Sequence, residues 1–66
     1  MKNNLKVLRA IANISQADLA EKIQVSRQTI NAMELGKYVP STVLALKLAA
    51  YFEKEVTEIF QLEDTD

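Results

Sequence analysis

Apolar residues recur along most of the chain at the three- and four-residue spacing of amphipathic helices. The first such stretch predicts a helix over about residues 5–13, because Leu5 and Leu8 fall on one face of it. Ile11 or Ala12 is expected to face inward as well. Asn3 or Asn4, just before the helix, is the expected N-cap. The N-terminal part of the chain is therefore predicted to be helical.

Two helix-start signals, eleven residues apart, follow this first helix. Ser15 is the expected N-cap of a helix over residues 16–23, with Asp18 as the acidic residue of a capping box. Ser26 is the expected N-cap of the next helix, which begins at Arg27. Each serine also follows an apolar residue that pairs with another five positions on, as in a hydrophobic staple: Ile14 with Leu19, and Val25 with Ile30. A helix, a turn of three to four residues and a second helix form a helix-turn-helix arrangement.

The second helix of this pair has two different faces. Ile30 and Met33 form an apolar face that packs toward Leu19, Ala20 and Ile23 of the preceding helix. The opposite face consists of Arg27, Gln28, Asn31 and Ala32. By composition alone such a face is a solvated surface, but the paired caps favour an exposed face that reads DNA bases.

The motifs around this pair resemble those of the lambda-repressor and Cro-like helix-turn-helix family over about residues 5–60. They are Gln16, Ala20, Val25-Ser26, Ile30, Glu34-x-Gly36-Lys37 and Pro40-Ser41. The chain is most similar to the small dimeric cytolysin-repressor type. It departs from the family at Gln24, where a glycine is usual, and a non-glycine residue with positive φ costs on the order of 1 kcal/mol.

The resemblance implies an all-α fold, a five-helix bundle extended by a short antiparallel β-ribbon. In the ribbon, residues 61–63 would pair with residues 1–4. It also implies a structural ion pair between Arg9 and Glu34, and a homodimer with Leu46, Phe60 and Leu62 at its interface.

The second half of the chain supplies two further helices. Gly36 is the expected C′ residue after the third helix, and Ser41 is the expected N-cap of a fourth helix over residues 42–53. The fourth helix is expected to bury Leu44, Leu48 and Phe52 and to leave Val43, Leu46 and Tyr51 outside. A last helix, residues 56–60, is expected to be capped by Thr57 and to direct Ile59 and Phe60 inward.

The composition excludes several classes of protein. With 66 residues the chain is expected to form one domain, residues 1–66, and a domain of this size buries only about 60% of its unfolded surface. The absence of Cys and His removes disulfides, thiolate metal sites and the commonest general base, so no enzyme, cofactor or metal site is expected. No apolar run reaches the ~20 residues of a membrane span, which predicts a cytoplasmic protein.

The net charge of −1 hides a strong asymmetry. Residues 1–50 contain seven basic and three acidic side chains, and residues 51–66 contain one basic and six acidic side chains. The first segment therefore carries +4 and the second −5. This separation allows one face of the protein to approach phosphate while the other stays away from it.

The composition above excludes an enzyme and leaves two classes of function. The favoured one is a sequence-specific transcriptional regulator, a repressor that binds double-stranded DNA as a homodimer on a palindromic operator. Its base-reading residues are Arg27, Gln28, Asn31 and Ala32, and its phosphate contacts are Gln16, Ser26, Lys37, Tyr38 and Ser41. The alternative is a protein-interaction module, such as an antitoxin or a co-regulator controlled by a partner protein. No ligand-sensing segment is expected, so activity would be controlled by a partner protein, by the protein concentration or by conditions that shift the monomer–dimer balance.

Overall fold

The computed structural model describes all residues from 1 to 66 and consists of five helices and one two-stranded antiparallel sheet. In chain order the elements are β1 (Lys2–Asn3), α1 (Leu5–Ala12), α2 (Gln16–Ile23), α3 (Arg27–Glu34), α4 (Thr42–Phe52), α5 (Val56–Ile59) and β2 (Phe60–Gln61). The expected fold class, a helical bundle with a short β-ribbon, is confirmed. None of the helices has the length and apolar character needed to cross a lipid bilayer.

Three serines cap three of the helices, as their sequence positions predict. The hydroxyl of Ser15 accepts a hydrogen bond from the Asp18 N–H at 3.0 Å, and the Asp18 carboxylate accepts one from the Ser15 N–H at 3.1 Å. Ser26 and Ser41 likewise accept from the third residue of α3 and of α4, each at 3.1 Å. Because these bonds involve only residues three apart, local sequence is sufficient to place the helix starts.

The turn between α2 and α3 bends at Gln24, which has a φ of 62°. Its N–H donates to the Glu21 carbonyl, and the N–H of Val25 donates to the Ala20 carbonyl at 3.0 Å. These bonds are those of a helix ending in a left-handed residue, so the tight turn forms without the usual glycine. Ala20 is only 4% exposed, since α2 and α3 pack closely there.

Ten buried side chains form one core, and none of them is polar. They come from every helix and from β2, and they are Leu5, Leu19, Ala20, Ile23, Ile30, Met33, Leu44, Leu48, Ile59 and Phe60. Phe52 packs against this core while partly buried, and Val43, Leu46 and Tyr51 are exposed, as the pattern of α4 predicts. Only one face of α3, with Ile30 and Met33, is buried in this core.

The prediction for the end of α1 was wrong. Ile11 is 77% exposed and Ala12 is also exposed, so neither residue faces the core. The helix ends at Asn13 in a left-handed conformation, and the next residue, Ile14, packs against the core instead. At the other end, the side chain of Asn3 accepts a hydrogen bond from the Leu5 N–H, while Asn4 occupies the N-cap position without such a bond.

The C-terminal elements differ in register from the predictions. Thr57 is not the cap of α5: the helix starts at Val56, as predicted, but Glu55 is its N-cap, and Glu58 accepts a hydrogen bond from the N–H of Glu55 at 3.0 Å. The β-ribbon pairs Lys2 with Gln61 and Asn3 with Phe60, so it lies one residue earlier than expected. Burial of the Phe60 side chain, which is 7% exposed, accounts for that register, because a shift by one residue would turn it outward.

Candidate nucleic-acid interface

The outward face of α3 presents polar side chains on a rigid support. Arg27, Gln28 and Asn31 are exposed, and Ala32 is partly buried. On the opposite face, Ile30 and Met33 are fully buried (both 0% exposed). The side chains of Arg27 and Gln28 form no hydrogen bond or ion pair within the protein, which leaves their full donor and acceptor capacity available to a ligand.

Asn31 is linked to the start of α2 by Gln16. The side-chain nitrogen Nε2 of Gln16 donates to Oδ1 of Asn31 at 3.1 Å and to Oε1 of Glu34 at 3.0 Å. Sequence reasoning assigned Gln16 to a phosphate contact and missed these bonds. The residues are 15 and 18 positions apart, and no local signal predicts a bond across that separation.

Glu34 is also the partner of Arg9, which lies on α1. Nε of Arg9 donates to Oε2 of Glu34 at 2.7 Å, Nη2 donates to Oε1 at 3.1 Å, and Nη1 donates to the Ile14 carbonyl at 3.0 Å. The two side chains are 16% and 6% exposed. This two-point contact joins α1 to the C-terminal end of α3 and is a charge-assisted pair of hydrogen bonds.

The pair shifts the pKa of both groups. Burial of Glu34 acts to raise the pKa of its carboxyl, but hydrogen bonds from Arg9 and Gln16 and the charge of Arg9 outweigh burial and lower the pKa below its usual range. The hydrogen bond to Glu34 likewise raises the pKa of Arg9. Both groups are therefore charged at neutral pH.

The lowered pKa of Glu34 predicts a loss of stability in acid. A depressed carboxyl pKa contributes stability that is present above the unfolded value, about 4.3, and is lost as the pH falls through the folded value. We expect Glu34→Gln to be less stable than wild type at pH 7, and the difference to shrink between pH 5 and pH 3. Urea unfolding at each pH measures it, with the exposed Glu21→Gln as the control. A difference that stays constant with pH would contradict the prediction.

The five candidate phosphate contacts differ in which group, side chain or main chain, is free to bind a phosphate. Lys37 is exposed and without an ion pair, and Tyr38 is 45% exposed. Both follow Gly36, which ends α3 with a φ of 74°. The hydroxyls of Ser26 and Ser41 serve as caps, so these residues offer the main-chain N–H groups at the starts of α3 and α4.

The three candidate dimer residues line one apolar groove, which also includes Met1, Val39, Pro40, Ala45 and Val56. Leu46 and Leu62 are 57% and 81% exposed, whereas Phe60 is only 7% exposed and forms part of the core. Val43 lies three residues before Leu46 on α4, and it is 64% exposed. The groove therefore has exposed apolar rims and a floor continuous with the core.

Comparisons with known proteins agree with this geometry. A family model described as Helix-turn-helix matches residues 5–59. An uncharacterized HTH-type transcriptional regulator of Methanocaldococcus jannaschii is 53% identical over 66 residues, which is 100% of both chains. The uncharacterized HTH-type transcriptional regulator YgzD of Bacillus subtilis is 47% identical over 64 residues, 97% of each chain. A third such regulator, from Archaeoglobus fulgidus, is 38% identical over 66 residues, 100% of this chain and 93% of the relative.

Proposed function

We propose that this chain, which belongs to the helix-turn-helix family of DNA-binding transcriptional regulators, is a cytoplasmic repressor that binds a palindromic operator as a homodimer. The observation that carries the proposal is the outward face of α3, where Arg27 and Gln28 have no partner within the protein. An α-helix fits the major groove of B-DNA, where every base pair presents a distinct pattern of donors and acceptors. The repressor role follows the resemblance to lambda-repressor and Cro-like proteins.

The side chains on α3 match particular base edges. The guanidinium of Arg27 suits the two acceptors of guanine, and the amide of Gln28 suits the donor and acceptor of adenine. The methyl group of Ala32 suits the methyl group of thymine. Asn31 completes the base-reading set, since it lies on the same face one turn after Arg27 and Gln28.

The proposed phosphate contacts lie at the two ends of α3 and at the starts of α2 and α4. Lys37 and Tyr38 contribute free side chains after the C-terminal end of α3. Gln16, Ser26 and Ser41 contribute main-chain N–H groups at the starts of three helices, because their side chains are engaged within the protein. Such contacts set the orientation of the protein on DNA and carry no sequence information.

Lys37→Ala is expected to weaken binding to all duplexes alike and to reduce the slope of log K against log salt by about one ion. Lys37 is proposed to neutralise one phosphate, so DNA binding by a variant without it releases one counterion fewer. Fluorescence anisotropy titrations at several salt concentrations measure the slope. Lys54→Ala is the matched control. Lys54 follows the C-terminal end of α4, whereas the proposed phosphate contact Ser41 caps its N-terminal end. An unchanged slope for Lys37→Ala would contradict the assignment.

A second copy of the chain is the proposed occupant of the apolar groove around Leu46 and Leu62. A chain of 66 residues buries little apolar surface alone, so covering these exposed rims is a natural supplement to its stability. Dimerisation also explains how one α3 per chain would read two half-sites, about 34 Å apart, in successive major grooves. The alternative occupant is a partner protein, as in a co-regulator or an antitoxin.

Leu46→Asp is expected to convert the homodimer to a monomer and to abolish tight binding to a two-half-site operator. A carboxylate at the rim would be desolvated in the interface without a partner. Sedimentation equilibrium measures the mass of the variant, and Ile11→Asp is the matched control, because Ile11 is exposed outside the groove. A wild-type protein that is monomeric at all concentrations would contradict the dimer and favour the partner-protein alternative.

Selection of bound duplexes from a random library tests the function as a whole. We expect an enriched palindrome whose half-site centres are one helical turn, about 34 Å, apart. Enrichment of single half-sites would contradict the dimer, and a library that shows no enrichment at low salt would contradict DNA reading altogether. The protein-interaction module would then be the better interpretation.

A further inference from the structure

We infer that Gln16 fixes the orientation of the Asn31 amide, so that Asn31 presents its NH₂ group to DNA and reads guanine in preference to adenine. The inference rests on the proposed function and deepens it, since it assigns a base to one residue of the α3 face. It follows from a series of hydrogen bonds that starts at a group able only to accept hydrogen bonds.

That group is the carboxylate of Glu34, which accepts hydrogen bonds and donates none while ionised. Its side chain is 6% exposed and is held by Arg9 through two hydrogen bonds. The lowered pKa of Glu34 keeps it ionised at neutral pH. Whichever amide atom of Gln16 faces Glu34 must therefore be the donor, Nε2, and the observed distance is 3.0 Å.

Because Gln16 is the donor, the Asn31 atom that faces it must be an acceptor. The NH₂ group of Gln16 has two hydrogens, one directed to Glu34 and the other to Asn31. The atom of Asn31 that receives this bond, at 3.1 Å, must be its acceptor Oδ1. The NH₂ group of Asn31 is then the other end of the amide, and it makes no hydrogen bond within the protein.

This orientation limits the bases that Asn31 can recognise. The usual contact of asparagine with adenine is bidentate: the oxygen accepts from N6 and the nitrogen donates to N7. In this protein Gln16 uses one of the two lone pairs of the oxygen and holds the oxygen toward α2, which leaves the NH₂ group as the half of the amide that is free to contact a base. Guanine presents two acceptors, O6 and N7, in the major groove, and both suit an NH₂ group. Adenine reading on α3 then falls to Gln28, whose amide is free.

The experiment compares duplexes that differ only at the base pair read by Asn31, which is the position where Asn31→Ala relaxes the preference of the wild type. We expect guanine at that position, favoured over adenine by roughly 5- to 150-fold. Asn31→Asp keeps the acceptor that faces Gln16 and replaces the outward donor by an acceptor, so it should abolish the guanine preference. Because the readout is a ratio between two duplexes, a general loss of affinity caused by the new charge cancels.

Gln16→Met is the second variant, because methionine has a similar length and lacks the amide. Without the bond from Gln16 the Asn31 amide can turn over, and we expect the guanine-to-adenine ratio to fall at least about fivefold toward adenine. Gln61→Met, on β2, is the matched control and should leave the ratio unchanged. Thermal melting of both variants checks that they fold.

The possible results separate the two proposals. An operator whose Asn31-dependent base is adenine would overturn the inference and leave the proposed function intact. A Gln16→Met variant that folds and keeps the wild-type ratio would also overturn the inference alone. A wild-type protein that selects no sequence would overturn the proposed function and the inference together.

Discussion

Replacement of Arg9 by alanine is expected to lower the free energy of unfolding by about 3 kcal/mol, because it breaks a largely buried ion pair. The substitution leaves the carboxylate of Glu34, only 6% exposed, without its guanidinium partner. A domain of this size has a total stability of roughly 3–10 kcal/mol, so such a loss removes a large part of it. The melting temperature should fall by roughly 12–24 °C.

Circular dichroism melting curves measure the effect, and Lys47→Ala is the matched control, because Lys47 is exposed and forms no ion pair. The double variant Arg9→Met/Glu34→Leu should recover most of the lost stability, since apolar replacement of both partners of a buried pair is often neutral. An Arg9→Ala melting curve that overlies that of the wild type would refute the structural role of the pair. Affinity of Arg9→Ala for random duplex should fall only with the folded fraction, because non-specific binding depends on phosphate contacts.

Gln28→Ala is expected to cost about 1–3 kcal/mol of discrimination at one base pair, or roughly 5- to 150-fold in relative affinity. Its side chain has no partner within the protein, so the substitution removes a ligand contact without disturbing the fold. Affinity for random duplex should stay close to that of the wild type, because non-specific binding depends on phosphate contacts. This pattern is the reverse of that expected for Lys37→Ala.

Competition binding against a panel of single-base-pair variants of the selected operator measures the discrimination of Gln28→Ala. Gln61→Ala applies the same substitution at the β-ribbon and should leave the panel unchanged. If Gln28→Ala kept the site preference of the wild type, its assignment as a base reader would be wrong. Intact melting of the variant excludes a trivial loss through unfolding.

The sequence predicted the part of the fold that depends on neighbours along the chain. The starts of α2, α3 and α4 were predictable because each serine cap bonds to a residue three positions away. The outward exposure of Arg27, Gln28 and Asn31 followed from helical periodicity once Ile30 and Met33 were assigned to the core. The Gln24 turn kept its shape because its hydrogen bonds to Glu21 and Ala20 also close locally.

The errors lie at the end of α1, at the start of α5 and in the register of the ribbon. Ile11 satisfies the apolar spacing of α1, yet it is 77% exposed, and Ile14 packs against the core instead, directly after the left-handed Asn13. Thr57 is a good cap by type, but Glu55 is the N-cap, where Glu58 can bond to it. The ribbon register depends on burial of Phe60 against the other helices.

By itself, the sequence determined the helical class, the three serine-capped starts and the polar face of α3, since these rest on periodicity and on bonds within one turn. Only the tertiary structure decided the partners of Gln16, because its two hydrogen bonds span 15 and 18 residues and exist only when α2 crosses α3. It also gathered Leu46, Phe60 and Leu62 around one groove from elements that are separate in the chain. Side-chain orientation across a helix crossing depends on packing, and packing is a property of the whole fold.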